Sequence, residues 1–158
     1  MAERHDLPDR IRDRLAADPD AKVVRAVAPH PGLSEAVLRA MTTRFGAQVA
    51  GRVAENPDAS PEFLEELALR TPPVRKVLRA VAGRPGATPA SLVACLADSR
   101  VRIEAARHPA LPLPVLVGLL DHPDHEPARA AAANPALPVA EMARRLPPPV
   151  LPGLRGTT

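Results

Sequence analysis

The sequence predicts an all-α protein, a solenoid of five short repeats, each a pair of helices. Three observations predict it. Pro31, Pro57, Pro85, Pro109 and Pro135 stand 26, 28, 24 and 26 residues apart, a period that belongs to helical repeat arrays. Three residues before each of these anchors is an alanine: Ala28, Ala54, Ala82, Ala106 and Ala132. The composition agrees, because 46% of residues are hydrophobic but only 1% aromatic. A core made of Ala, Val and Leu requires helices that approach closely.

The chain is taken in order from the N-terminus. Residues 1–19 form the N-terminal cap, with a helix over 7–17 (LPDRIRDRLAA) that turns Ile11 and Leu15 inward and its charges outward, covering the open end as repeat arrays require. Residues 20–146 hold the five repeats as one domain with that cap. In each repeat a first helix buries the residue eight before the anchor (Val23, Val49, Val77, Val101, Pro127), the one four before (Val27, Val53, Val81, Ala105, Ala131) and the alanine beside it, which is one helical stripe. A polar residue precedes each anchor (His30, Asn56, Arg84, His108, Asn134). It is expected to end the helix, since Asn tolerates the left-handed conformation and the proline disfavours a helical residue before it.

A second helix then starts at Ser34, Ser60 or Thr88, good N-caps, with Pro61 and Pro89 at the first helical position. Pro112 and Pro138 replace the cap in the last two repeats and point to a 3₁₀ start. Leu38, Leu64, Leu92, Leu116 and Met142, seven past the anchors, are the inward residues of these helices. Asp-Pro-Asp at 18–20, Thr-Pro-Pro at 71–73, Asp-Ser-Arg at 98–100 and His-Pro-Asp at 122–124 separate the repeats, and Arg44, Phe45 and Gly46 take that place in the second. Residues 147–158 are a Pro-rich flexible tail.

VVRAVAPHPGLSEAVL, AGRVAENPDASPEFLEEL, LRAVAGRPGATPASLVACL, VRIEAARHPALPLPVLVGLL and ARAAAANPALPVAEM carry the pattern V, A, polar, P, a short gap, S/T/P and L. This register resembles the leucine-rich repeat variant family over about residues 19 to 146. The resemblance implies a right-handed superhelix of alternating α- and 3₁₀-helices without a β-sheet. Some members add a cysteine-rich iron–sulfur segment; with Cys95 as the single cysteine, neither that cluster nor a redox role carries over.

No catalytic, metal or cofactor site is expected. His122 and His125 in DHPDHE (121–126) are potential metal ligands, but the proline splays them and the stretch reads as an inter-repeat loop. His30 and His108 share a slot with asparagines, Ser34 and Ser60 are explained as caps, and Cys95 is a small buried hydrophobe. Two surfaces remain. Lys22, Arg25, Arg52, Lys76, Arg79, Arg100 and Arg129 lie on the outer side of the first helices, against Glu55, Glu104 and Glu126, and stacking would align them into a basic ladder. Leu113, Val117 and Gly118 stand where the second repeat has Glu62, Glu65 and Glu66, an apolar patch suited to a partner or a second copy.

The expected function is a non-enzymatic protein–protein interaction scaffold. The alternative is duplex DNA binding, with phosphates neutralised along the ladder; net charge +3 and a pI near 9.9 permit it. Single strands fit less well, because base stacking wants aromatics and Phe45 and Phe63 are structural. No apolar run suggests a signal peptide or a membrane span, so the expectation is cytoplasmic. Arg in preference to Lys, with excess Ala and Pro, matches the codon bias of a GC-rich bacterium.

Overall fold

The computed structural model describes residues 7–145, and among them the chain forms α-helices with no strand and no 3₁₀-helix. The expected tail lies outside the described residues. The helices are α1 (Asp9–Ala16), α2 (Ala21–Val27), α3 (Glu35–Phe45), α4 (Ala47–Ala54), α5 (Pro61–Ala68), α6 (Arg75–Ala82), α7 (Pro89–Cys95), α8 (Arg102–Arg107), α9 (Leu113–Leu120), α10 (His125–Ala132) and α11 (Val139–Arg145). From α2 onward they alternate as first and second helices of the five repeats. First helices pack on first helices, α2 on α4, α4 on α6 and α8 on α10; α5 packs likewise on α7, and α1 lies on α2. One apolar core runs from α1 to α10, and α11 buries no residue in it.

The second helices begin as the residue types dictate. Ser34, Ser60 and Thr88 side chains accept from the backbone N–H of Val37, Phe63 and Ser91 at 3.4, 3.2 and 3.2 Å, which satisfies a donor that the helix itself cannot. Pro61 and Pro89 occupy the first turn. At α9 the cap position is Pro112, with no side-chain bond, yet the helix is α from its first residue rather than 3₁₀. Asp20 and Asp124 cap α2 and α10 through the N–H of Lys22 and Glu126. Gly46, at φ 54°, joins α3 directly to α4, a backbone conformation that only glycine adopts without cost.

The stripe positions four before the anchors are buried in all five repeats, and the alanines beside them in the first four. The exceptions lie at the ends: Val23 is half-buried, and Ala132 and Met142 are exposed. A further position, two past the anchor, is buried throughout, as Leu33, Ala59, Ala87, Leu111 and Leu137. The cap helix also differs from expectation. Ile11 is 50% exposed, while the Arg12 side chain is covered and reaches Asp9 at 3.0 Å and the Pro31 carbonyl at 3.4 Å. Leu15 and Ala16 supply the contact to the core instead, because α1 is rotated so that its Arg12 edge meets the first anchor turn.

The polar slot before each anchor does not adopt a left-handed backbone; no described residue other than glycine has positive φ. It joins repeats instead. Asn56 Nδ2 donates to the carbonyls of Ala28 and His30, each at 2.7 Å, and Asn134 Nδ2 to those of Ala106 and His108 at 2.8 and 2.9 Å. Arg84 donates to the carbonyls of Ala54 and Asn56, and His108 Nε2 to that of Arg84 at 2.8 Å. Forward, Asn56 Oδ1, His108 Nδ1 and Asn134 Oδ1 accept from the N–H two residues on, in Asp58, Ala110 and Ala136. The slot carbonyls of Asn56, Arg84, His108 and Asn134 close a β-turn onto Ala59, Ala87, Leu111 and Leu137, with the anchor proline at the second turn position that its fixed φ suits. The helix therefore ends in a proline turn, and the side chains of Asn56, Arg84, His108 and Asn134 tie that turn to the repeat before it.

Candidate functional site

The first helices carry their cations where the stripe leaves them, on the side away from the core. On α2 these are Lys22 and Arg25, on α4 Arg52, and on α6 Lys76 and Arg79. The packing of α2 on α4 and α4 on α6 brings all five to one groove of about 710 Å³, also lined by Ala26, Glu55 and Ala80. A smaller cavity of about 340 Å³ adjoins it, sharing Arg25, Arg52 and Lys76 and adding Gln48, Gly51 and Arg75.

The close approach of α4 and α6 depends on Gly51. A Cβ there would come within 2.5 Å of Lys76 Cβ, so any side chain pushes the helices apart. Gly51 is itself buried.

Two of the surrounding cations are already balanced. Arg52 pairs with Glu55 within its own helix, and Arg75 pairs with Asp98 at 2.7 Å, holding that carboxyl below the usual carboxylate range. Lys22, Arg25, Lys76 and Arg79 form no ion pair among the described residues. Four like charges thus face one concave surface. Their mutual repulsion, focused between protein walls, favours the entry of an anion.

Arg100 and Arg129 do not line this groove. On α8 the fourth repeat instead carries Ile103, half-buried against the core, and Glu104, which lies beside Gly83 at the end of α6. The predicted seven-residue ladder therefore divides into five converging side chains and two separate ones. Arg75 and Gln48, which line the smaller cavity, were not legible as site residues. Each lies in the first turn of its helix, and nothing in the one-dimensional pattern shows which way that corner faces.

On α9, Leu113 is 42% exposed and Gly118 exposed, whereas Val117 is half-buried against the core. The apolar patch is consequently narrower than the helix sequence suggests. Phe63 is fully buried beneath the Arg39 guanidinium, whose carbon lies 4.5 Å from the ring centre, and Phe45 lies under Arg44. Neither aromatic reaches the groove.

His108 is committed to its two backbone bonds. His122 Nε2 sits 3.0 Å from an Arg102 guanidinium nitrogen, a cation where a metal ligand would need open space. Among the described residues no group of His, Cys, Asp or Glu is arranged to hold a metal. Cys95 is fully buried, and its burial pushes the thiol up to about 11, far from the thiolate that reactive cysteines require. No described helix is long and apolar enough to cross a membrane. No family model, curated protein or solved structure matches the chain.

Proposed function

We propose that the chain is a right-handed solenoid of short helical repeats, of leucine-rich repeat variant type, that works as a non-enzymatic interaction scaffold and holds an acidic polypeptide segment in the groove across α2, α4 and α6. One observation carries this reading: Lys22, Arg25, Lys76 and Arg79 face a single groove with no ion pair among the described residues. The repeat register and the slot bonds that join successive turns support the solenoid. The alanines of the groove leave room for an extended chain whose carboxylates meet the cations on either side.

Convergence of five ladder cations also favours a second reading, duplex DNA. A duplex lying along the ladder would also have to reach Arg100 and Arg129, which do not line the groove. The apolar patch at Leu113, Val117 and Gly118 is a separate candidate contact for a protein partner or a second copy.

A titration by fluorescence anisotropy separates the two ligands. A labelled Glu- and Asp-rich peptide and a mixed-sequence DNA duplex are each added to the protein at low and at physiological salt. The peptide is expected to bind and to be lost when Arg25 and Lys76 are both changed to Glu. Binding of the duplex alone, with a steep salt dependence, would establish the DNA reading. Binding of neither at low salt would remove the groove from consideration.

A further inference from the structure

We infer that the groove recognises a phosphorylated side chain within the acidic segment, and that the smaller cavity between α4 and α6 is its phosphoryl subsite. The inference rests on the acidic-segment reading above and adds a chemical class to it.

Charge is the first argument. Arg25, Arg52, Arg75 and Lys76 wall the smaller cavity of about 340 Å³. Arg52 is balanced by Glu55 and Arg75 by Asp98, which leaves the charges of Arg25 and Lys76. A glutamate or aspartate carries one negative charge and would leave the cavity positive. A phosphoryl group carries about 1.5 to 2 negative charges near neutral pH and has three strong acceptor oxygens, which matches the residual charge.

Donor geometry is the second argument. Arg25 comes from α2, Lys76 from α6, and Gln48 from the first turn of α4, so three helices offer donors to one cavity. A guanidinium presents a planar fork that pairs with two phosphoryl oxygens, an ammonium acts as a point charge, and an amide adds a neutral donor. Gly51 sets the separation: without a Cβ it lets Lys76 rest against α4, in the cavity that Arg25 also lines. The larger groove, with Lys22 and Arg79, then receives the flanking carboxylates.

The test uses the full chain and three short fluorescent peptides that differ at one position: phosphoserine, serine and glutamate, in the same Glu- and Asp-containing sequence. The phosphoserine peptide is expected to bind about tenfold more tightly than the glutamate peptide. Lys76→Glu and, separately, Arg25→Gln should bring the two within about twofold of each other. Lys22→Glu should weaken both by the same factor, because Lys22 lines the larger groove and not the smaller cavity. Lys22, Arg25 and Lys76 are exposed, and unchanged helical circular dichroism checks that each variant is folded. Equal binding of the phosphoserine and glutamate peptides, with both lost in Lys76→Glu, would overturn the phosphoryl subsite and leave the acidic-segment reading standing. If none of the three binds, both readings fall. Displacement of the phosphoserine peptide by duplex DNA at lower concentration than by unlabelled phosphopeptide would also overturn the assignment, in favour of a nucleic acid.

Discussion

In the first repeat Ala28 is fully buried, while Val23 and His30 remain partly exposed; in the last, Pro127, Ala131 and Asn134 are buried, while Ala132 and Met142 are exposed. The register is the same and the covered half is reversed. Each repeat therefore has two faces. The positions eight and one before the anchor are covered by the repeat in front, and the positions three before and seven after it by the repeat behind. A sequence repeat marks all of them alike, but only position in the array decides which are sealed.

The strongest test of this two-faced unit compares the slot residues. Asn56→Ala strips two buried carbonyls of their donor and an N–H of its acceptor, and leaving such groups unpaired costs roughly 1 to 3 kcal/mol each. A loss of about 3 kcal/mol in urea unfolding is expected, against under about 0.5 kcal/mol for His30→Ala, whose side chain makes no hydrogen bond among the described residues. Similar losses for the two would erase the distinction between interior and terminal slots.

The alanines give the next largest effect. Ala106→Leu overfills a closed contact and should cost about 1 to 3 kcal/mol, whereas Ala132→Leu, at the same register position but exposed, should change stability by no more than about 0.5 kcal/mol. Thermal melting of the two variants decides it, with Arg107→Ala, an exposed neighbour, as the reference for a harmless change.

Acid should act most gently, and first at the C-terminal end. Asp121, just past α9, accepts from the Arg145 guanidinium of α11 at 2.8 Å, and that bond holds its carboxyl below the ordinary value. A depressed pKa adds stability above the ordinary aspartate range, and the contribution is lost as pH falls through the folded-state value. Amide exchange in α11 should therefore rise below about pH 4 before exchange in α5. The equivalent tie of α5 to α3, from Arg39 to Glu66 at 2.9 Å, is supported by Phe63 buried beneath the same guanidinium, so it does not depend on one carboxylate.

The periodic part of this architecture was legible because it follows from helix geometry. Spacings of four and five residues place Val and Ala on one stripe, and Ser34, Ser60 and Thr88 cap the following helices by local bonds. What sequence reading missed is what depends on a neighbouring unit. Asn56 and Asn134 suit a left-handed helix end as well as a bridge to another turn, and only the location of the earlier carbonyls selects the bridge. Ile11 fits an inward stripe as well as Arg12 fits an outward one, until the rotation of α1 reverses them. The register aligns seven cations in an interrupted ladder but does not show where a groove forms along it; the packing of α2, α4 and α6 selects five of them, and Arg100 and Arg129 do not line it.

That inequality makes the slot more than a tie. Asn bridges its turns across 26 residues of chain in both of its occurrences, the longer Arg84 reaches Asn56 across 28, and His108 reaches Arg84 across 24. Side-chain reach varies where the loop length varies, as a shim is cut to the gap it fills. Insertions and deletions between units can then be absorbed at one residue, leaving the helices on either side, and the cationic surface they carry, free to keep their own spacing.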